Sequence, residues 1–229
     1  MSFDSVLKIG GSLSRGSGLP ALCREISALA KRHSVLVVPG GGDFAEQVRA
    51  SDRRFHLEPT ASHRMALLAT DQYGYLLNQL IAGSFLTADL DLACKSAGPG
   101  RAAMLLPSAT VIRENPLPNS WQVTSDTIAA WIAHRAQCRR LILCKSIDGL
   151  RTSDGSLIRE ITAGQLSEHT GAVDGYLSNF LQSVQLEAWV INGLRPERLS
   201  ELLTTCQTTG TRIRPVKKQD ATDAPDSSQ

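Results

Sequence analysis

Two short hydrophobic runs that each end in glycines constrain the fold of this chain most strongly. The first, "VLKIGGSL", begins at Val6, and the second, "VLVVPGGGD", begins at Val35. Short apolar runs that are bounded by glycine or proline are typical of strands buried on both faces. Apolar residues at helical spacing occupy residues 19–32 between the two runs. The pattern therefore predicts two parallel strands that are joined by a helix.

Strands and helices continue to alternate along the rest of the chain. We predict further strands at Asp91–Cys94, Ala102–Leu106, Leu141–Cys144, Ala188–Ile191 and, as a last edge strand, Arg212–Arg214. We predict helices at Leu19–Arg32, from Asp43 to about Ala50, from Ser62 to about Ile81, from Thr124 or Ser125, from about Ala163 and at Pro196–Leu203, and a polar hairpin at Arg151–Ile161. This order predicts an α/β fold with a mainly parallel sheet that helices cover on both faces.

Composition limits the class of protein. The chain has 229 residues, of which 42% are hydrophobic and 5% aromatic, and its formal net charge is +2. We expect residues 1–216 to form a single domain and residues 217–229, "KKQDATDAPDSSQ", to form a disordered tail without apolar periodicity. A nucleic-acid partner is not expected, since no basic stripe with interleaved aromatic residues is present.

Location and metal content are also expected from the sequence. No apolar run is long enough for a membrane span and the N-terminus does not resemble a signal peptide, so we expect a cytoplasmic protein without a membrane partner. The five cysteines are scattered without a C-x-x-C pair. We therefore expect buried thiols in a reducing compartment, and no tightly held transition metal.

The glycines indicate an anion site at one edge of the sheet. Backbone N–H groups in a glycine loop can approach a ligand closely, and a following helix N-terminus favours negative charge. Two such loops at one sheet edge could hold two anionic groups face to face, as phosphoryl transfer requires. Glycines that only form tight turns are the alternative. The pattern G-x-x-x-x-G-K-[ST] of a P-loop and the G-x-G-x-x-G dinucleotide fingerprint are both absent from the first loop.

Several stretches resemble the amino acid kinase superfamily, which includes carbamate, acetylglutamate, aspartate, uridylate and isopentenyl phosphate kinases. The stretches are "VLKIGGSL", "VLVVPGGGDFAEQVR", "SDTIAAWIA", "LILCKSIDGL" and, near the end, "GTRI". They occur in the family's order over nearly the whole chain. The resemblance implies a three-layer αβα sandwich, with an acceptor bound over the N-terminal half and a nucleotide over the C-terminal half.

The resemblance also implies roles on the nucleotide side. Lys8 would neutralise the transferring phosphoryl group, while Gly10, Gly11 and Ser12 would cradle it. Asp148 and Gly149 match the loop that leads to the nucleotide. ATP is the implied donor, and Mg²⁺ would arrive with ATP rather than on a protein metal site.

On the acceptor side, Gly40, Gly41 and Gly42 would line the binding site together with Ser125. Asp126 matches the family's aspartate and would hold Lys8 in place, although a first-turn helix acid is the alternative interpretation. A phosphate or carboxylate acceptor is already ionised near neutral pH. Asp126 therefore need not act as a general base.

One departure from the family concerns a lysine. Many members carry a G-G-M-x-x-K element whose lysine contacts the donor phosphates, whereas the comparable stretch here, "TGAVDGYLSNFLQ", has none. Lys145 is the nearest candidate to supply that charge. An ordinary solvated lysine at a strand end is the alternative.

A closer resemblance concerns the substrate. The stretches "HRMALLATDQYGYLL", "AVDGYL" and "VINGLRPERL" resemble kinases that convert an aminomethylfuranylmethyl phosphate to its diphosphate in methanofuran synthesis. Uridylate and isopentenyl phosphate kinases remain alternatives, because they also phosphorylate a phosphate. A non-catalytic nucleotide or oxyanion binder of the same fold is a third hypothesis. The family commonly pairs the long helix from Ser62 with its twin, which implies a homodimer or a higher homo-oligomer.

Overall fold

The computed structural model describes residues 2–169 and 171–215, which form one sheet between two helical layers. The tail expected at residues 217–229 lies outside the described residues. The strands are β1 (Ser5–Ile9), β2 (Val35–Pro39), β3 (Phe85–Thr87), β4 (Ala103–Leu105), β5 (Arg140–Lys145), β6 (Glu160–Thr162), β7 (Glu187–Asn192) and β8 (Gly210–Arg214). Over the described residues their order in the sheet is β3-β4-β2-β1-β5-β7-β8-β6.

The α-helices fall between these strands. They are α1 (Leu19–Leu29), α2 (Gly42–Phe55), α3 (Pro59–Leu80), α4 (Leu90–Lys95), α5 (Ser108–Glu114), α6 (Ser125–Arg135), α7 (Leu177–Ser183) and α8 (Glu197–Thr205). Two 3₁₀ helices, Gly11–Arg15 and Gly164–His169, complete the set for the described part of the chain. No helix in the described ranges has the length and apolar character that a membrane crossing requires.

The alternation of side chains along each strand builds two cores. Val6 of β1 packs into one core, together with Ile132 of α6 and Leu181 of α7. Leu7, its neighbour in sequence, packs into the other with Leu22 of α1. Successive residues of a strand point to opposite faces of the sheet, so a strand with only apolar residues needs helices packed on both faces. The predicted α/β sandwich with a mainly parallel sheet is therefore confirmed, and β7 with β8 is the antiparallel pair.

Two of the predicted strands need correction. Residues Asp91–Cys94 lie in α4, and the strand of this region is β3, a few residues earlier. The Asp89 side chain accepts hydrogen bonds from the backbone N–H groups of Asp91 and Leu92 and so caps α4. The alternating apolar residues of this short segment had predicted a strand instead. The predicted last edge strand, Arg212–Arg214, lies inside the sheet because β6 pairs with its outer side.

Several helix and loop predictions also differ from the structure. The helix predicted from Ser62 begins at Pro59, which suits a first-turn proline. The helix predicted from Ala163 is a 3₁₀ turn, and α7 begins only at Leu177. In place of a full hairpin, Arg151 and Leu157 form an isolated antiparallel bridge. Sequence patterns locate such ends poorly because caps and short turns depend on neighbouring segments.

The cysteine prediction is only partly correct. All five thiols are free, and Cys23, Cys138 and Cys144 are buried as expected. Cys206, however, is exposed at the end of α8, and Cys94 is half-buried.

The loop after β5 is held against β8 through a glycine. Gly149 adopts φ +140°, and a Cβ there would lie 2.7 Å from Oγ1 of Thr211 and 2.7 Å from Cδ1 of Leu157. The same Thr211 hydroxyl accepts from the N–H of Leu150 at 2.8 Å and donates to the carbonyl of Ile158 at 2.6 Å. Gly149 is therefore required by both its backbone conformation and its packing.

We expect Gly149→Ala to lower the free energy of unfolding by about 2–3 kcal/mol, because strain and a steric clash add. Gly155→Ala is the matched control, since Gly155 has φ +87° but no atom within 4 Å of an added Cβ. Strain alone should cost the control about 1 kcal/mol. Urea unfolding measures both, and equal losses would show that the contact with Thr211 has no influence.

Candidate active site

The carboxyl ends of three adjacent parallel strands bring the predicted residues to one edge of the sheet. Ile9 of β1 is in register with Pro39 of β2 and with Cys144 of β5, so the loops that follow begin at the same level. The N–H of Gly10 donates to the carbonyl of Cys144 at 2.8 Å, and the N–H of Gly40 donates to that of Ile9 at 2.9 Å. Open parallel sheets bind their ligands at this edge.

Two lysines share one buried aspartate at this edge. Nζ of Lys8 lies 2.8 Å from Oδ1 of Asp126, and Nζ of Lys145 lies 2.6 Å from Oδ2 of the same carboxylate. Lys8 is 4% exposed and Asp126 is 2% exposed. The first turn of α6 places the carboxylate between the ends of β1 and β5. The three side chains, which we call the lysine–aspartate cluster, are brought together by elements far apart in sequence.

The electrostatics of the lysine–aspartate cluster follow from its burial. Burial raises the pKa of Asp126, but the charges and hydrogen bonds of Lys8 and Lys145 outweigh it and hold that pKa far below its usual range. Burial lowers the pKa of Lys145, while the negative charge of Asp126 opposes this change. Asp126 is thus ionised and occupied by its partners. Two ammonium groups against one carboxylate leave a positive charge for an anionic ligand to neutralise.

The glycines of the two loops are needed for the contact between the loops. A Cβ on Gly11 would overlap the backbone of Gly42. A Cβ on Gly40 would lie 2.8 Å from the backbone nitrogen of Gly11, and one on Gly10 would lie 2.8 Å from the carbonyl oxygen of Cys144. Gly42 also has φ +55°, which glycine adopts without strain. The glycines therefore serve close packing of the backbone as well as access to a ligand.

Two clefts open beside the lysine–aspartate cluster. One, which we call the lysine cleft, is lined by residues that include Lys8, Gly10, Lys145 and Gly171. The other, which we call the arginine cleft, lies beyond the second glycine loop. Gly11–Ser12 lines both clefts. The two clefts therefore meet directly beside Lys8.

The arginine cleft combines an aromatic ring with cationic groups. Cζ of Arg49 lies 4.5 Å from the ring centroid of Trp121, and Nε1 of Trp121 donates to Oδ2 of Asp52 at 2.7 Å. Arg15 and His63 also line this cleft, and burial lowers the pKa of His63. Such a lining suits a small anionic molecule with a flat or apolar body.

The structure separates the predicted residues into two groups. Those that line a cleft or belong to the lysine–aspartate cluster are Lys8, Gly10, Gly11, Ser12, Gly41, Gly42, Ser125, Asp126 and Lys145. Gly40, Asp148 and Gly149 are not among the residues that line the two clefts. Gly40 lies beneath the loops. Asp148 accepts hydrogen bonds from Asn192 at 2.9 Å and Arg198 at 2.7 Å, and these contacts lower its pKa.

Sequence reasoning missed several residues of the clefts. Ser146 places its hydroxyl 3.0 Å from that of Ser12. Arg49 and Trp121 reach the arginine cleft from α2 and from the loop before α6, and His63 reaches it from α3. A regular pattern does not mark these positions, because each depends on which face of its segment meets the cleft.

Known proteins with a similar sequence or fold belong to one family of kinases. The profile of the amino acid kinase family matches residues 5–185. The chain is 28% identical over 202 residues to the [5-(aminomethyl)furan-3-yl]methyl phosphate kinase of Methanocaldococcus jannaschii. The aligned region covers 86% of this chain and 92% of that protein.

Solved uridylate (UMP) kinases share the fold. The Archaeoglobus fulgidus enzyme superimposes with a TM-score of 0.71 at 21% identity and covers 93% of this chain and 100% of its own. The Ureaplasma parvum enzyme gives 0.70 at 16% identity, with 92% and 98% covered. At these identities the likeness concerns the fold alone. Through the family profile and this fold, the chain belongs to the amino acid kinase family and is a small-molecule kinase.

Proposed function

We propose that the protein transfers the γ-phosphoryl group of ATP, bound in the lysine cleft, to the phosphate of a small acceptor in the arginine cleft. The observation that carries this proposal is the meeting of the two clefts at Gly11–Ser12, beside the lysine–aspartate cluster. A donor and an acceptor held in adjoining clefts face each other across the backbone that would cradle the transferring group. Alignment and charge neutralisation supply most of the catalysis of phosphoryl transfer.

The residues of the lysine cleft divide this work. Lys8 and Lys145 would neutralise charge on the donor phosphates, and Gly10, Gly11 and Ser12 would offer backbone N–H groups. Asp126 holds the two ammonium groups, and its low pKa argues against a role as general base. An acceptor phosphate needs no such base because its oxygen is already ionised.

The residues present fit ATP with its metal ion. The lysine cleft offers ammonium groups and glycine backbone for phosphates. Asp126 is occupied by Lys8 and Lys145, so it is not a free ligand for a cation. We therefore assign Mg²⁺ to the ATP phosphates, where it would screen their charge during transfer.

The proposed acceptor is [5-(aminomethyl)furan-3-yl]methyl phosphate or a close analogue, as a step of methanofuran-like one-carbon cofactor synthesis. The name of the M. jannaschii relative supports it. The arginine cleft also supports it, since Arg15 and Arg49 suit a phosphate and Trp121 suits a flat ring. UMP and isopentenyl phosphate are the alternative acceptors, and a binder without turnover is the alternative activity.

We expect ADP release with ATP and Mg²⁺ to be selective for the furan monophosphate over UMP and isopentenyl phosphate. The measurement is a coupled ADP assay together with mass spectrometry of the diphosphate product. Turnover of UMP instead would identify a uridylate kinase. Tight ATP binding without turnover of any acceptor would support the non-catalytic binder.

We expect Lys8→Met to lower kcat by about 100-fold to 1000-fold, since it removes charge stabilisation of the transferring group and keeps the side-chain bulk. The fold should persist, because methionine suits a buried position. Lys31→Met, at an exposed lysine after α1, is the control and should retain wild-type kinetics. Wild-type kcat in a folded Lys8→Met protein would contradict the assigned role.

The free thiols support our proposal of a cytoplasmic location, because reducing conditions keep cysteines unpaired.

We also propose a homo-oligomer that forms through α3. Met65, Leu68, Tyr75 and Leu76 are exposed along this helix, with Leu68 at 52% and Tyr75 at 58%. Large apolar side chains grouped on a surface mark an interaction site.

We expect Leu68→Glu to convert the oligomer to monomer, because a charge would be buried at the contact. Leu92→Glu on α4 is the control, since Leu92 is also exposed, at 44%, but lies apart from α3. Sedimentation velocity measures the mass of both variants and of the wild type. A wild-type monomer, or an unchanged Leu68→Glu oligomer, would contradict the assignment.

A further inference from the structure

A buried carboxylate outside both clefts holds the start of the helix that carries Asp126. Asp174 lies in the loop before α7 and is 8% exposed. Its Oδ2 accepts from the N–H and the hydroxyl of Thr124, at 3.0 and 2.9 Å, and from the N–H of Thr127 at 2.9 Å. Its Oδ1 accepts from the hydroxyl of Thr127 at 2.5 Å and from the N–H of Leu177 at 3.0 Å. All five partners donate, as they would to an ionised carboxylate.

These contacts cap two helices at once. Thr124 is the N-cap of α6, but its own side chain makes no capping hydrogen bond. Asp174 takes over that function from another segment, because it accepts the N–H groups that the start of α6 leaves free. The bond from the N–H of Leu177 lets the same carboxylate cap α7. Ser125 and Asp126 lie between the two threonines, so Asp174 holds the chain on both sides of Asp126.

The same loop reaches the lysine cleft. Gly171 and Ala172, shortly before Asp174, line that cleft, and the N–H of Tyr176 donates to the carbonyl of Gln122 at 3.1 Å. Burial and the negative charge of Asp126 raise the pKa of Asp174. The negative charge of Asp174 in turn contributes to raising the pKa of Lys145, against the larger effect of burial. Asp174 is therefore coupled to the lysine–aspartate cluster by hydrogen bonds and by charge.

We propose that Asp174 is a positioning residue for phosphoryl transfer, whose carboxylate fixes the first turn of α6 and so sets where Asp126 holds Lys8 and Lys145. This inference rests on the proposed kinase activity and deepens it. The cluster keeps one positive charge, and the carboxylate of Asp174 lies near enough to act on the pKa of Lys145 without pairing with either lysine. Asparagine at 174 keeps the size but loses the charge, and its amide would point an N–H₂ donor at other donors. Removal of the charge makes the cluster more positive, which favours ATP.

The predicted signature is a split between kcat and KM. In Asp174→Asn, kcat should fall about 10-fold to 100-fold, because a small displacement of the charges misaligns the transfer. KM for ATP should not rise. Thr127→Val should lower kcat in the same way. Thr127→Ser, which keeps the hydroxyl, should retain most of the wild-type kcat. Asp89→Asn is the control, since Asp89 caps α4 through two backbone N–H groups away from both clefts.

A double-mutant cycle with Asp126→Asn separates positioning from general stability. If Asp174 acts through Asp126, then Asp174→Asn should lower kcat by less than about threefold in the Asp126→Asn background. All four proteins are assayed with the acceptor that the wild type turns over, or by slow ATP hydrolysis if it turns over none. The wild-type rate tests the proposed function, while the ratios test Asp174. Additive losses, an unchanged kcat in folded Asp174→Asn, or a raised KM for ATP as the main effect would overturn the inference.

Discussion

The lysine–aspartate cluster is the interaction on which the rest of the site depends. One buried carboxylate holds two ammonium groups that arrive from the ends of β1 and β5. Unpaired charges are costly to bury, so Asp126 is what makes Lys8 and Lys145 tolerable within the protein. Because one positive charge remains, the cluster is suited to an anion that binds and leaves. A cluster with equal numbers of positive and negative charges would attract phosphates less strongly.

In the proposed reaction, the contact between the two glycine loops would determine how donor and acceptor are placed. A side chain on Gly11 would overlap the backbone of Gly42, and one on Gly40 would overlap the backbone of Gly11. The two clefts share Gly11 and Ser12, and in the proposed reaction the transferring phosphoryl group would pass beside this backbone. Asp174 adds a third constraint, since it holds the helix that supplies Asp126. Backbone contact, buried charge and helix capping together give the site a rigid frame, as precise alignment requires.

Much of the fold could be predicted because long, regular patterns survive in the tertiary structure. The apolar runs at Val6 and Val35 became central strands, and the helices with clear apolar spacing formed as expected. Short elements were less predictable. The run Asp91–Cys94 alternates like a strand but is a capped helix, and β3 is only three residues long. Edge position could not be predicted either, because β6 pairs outside β8 through a contact between distant segments.

The sequence by itself determined the order of strands and helices, the two glycine loops and the family to which the chain belongs. Those features are local, and they depend on side-chain periodicity and backbone freedom within a few residues. Only the tertiary structure decided that Lys145 shares Asp126 with Lys8, that Gly149 packs against Thr211 and that Arg49 stacks on Trp121 in the arginine cleft. Each of these is a contact between segments far apart in sequence. Such contacts are set by how the helices pack on the sheet, which no short stretch of residues records.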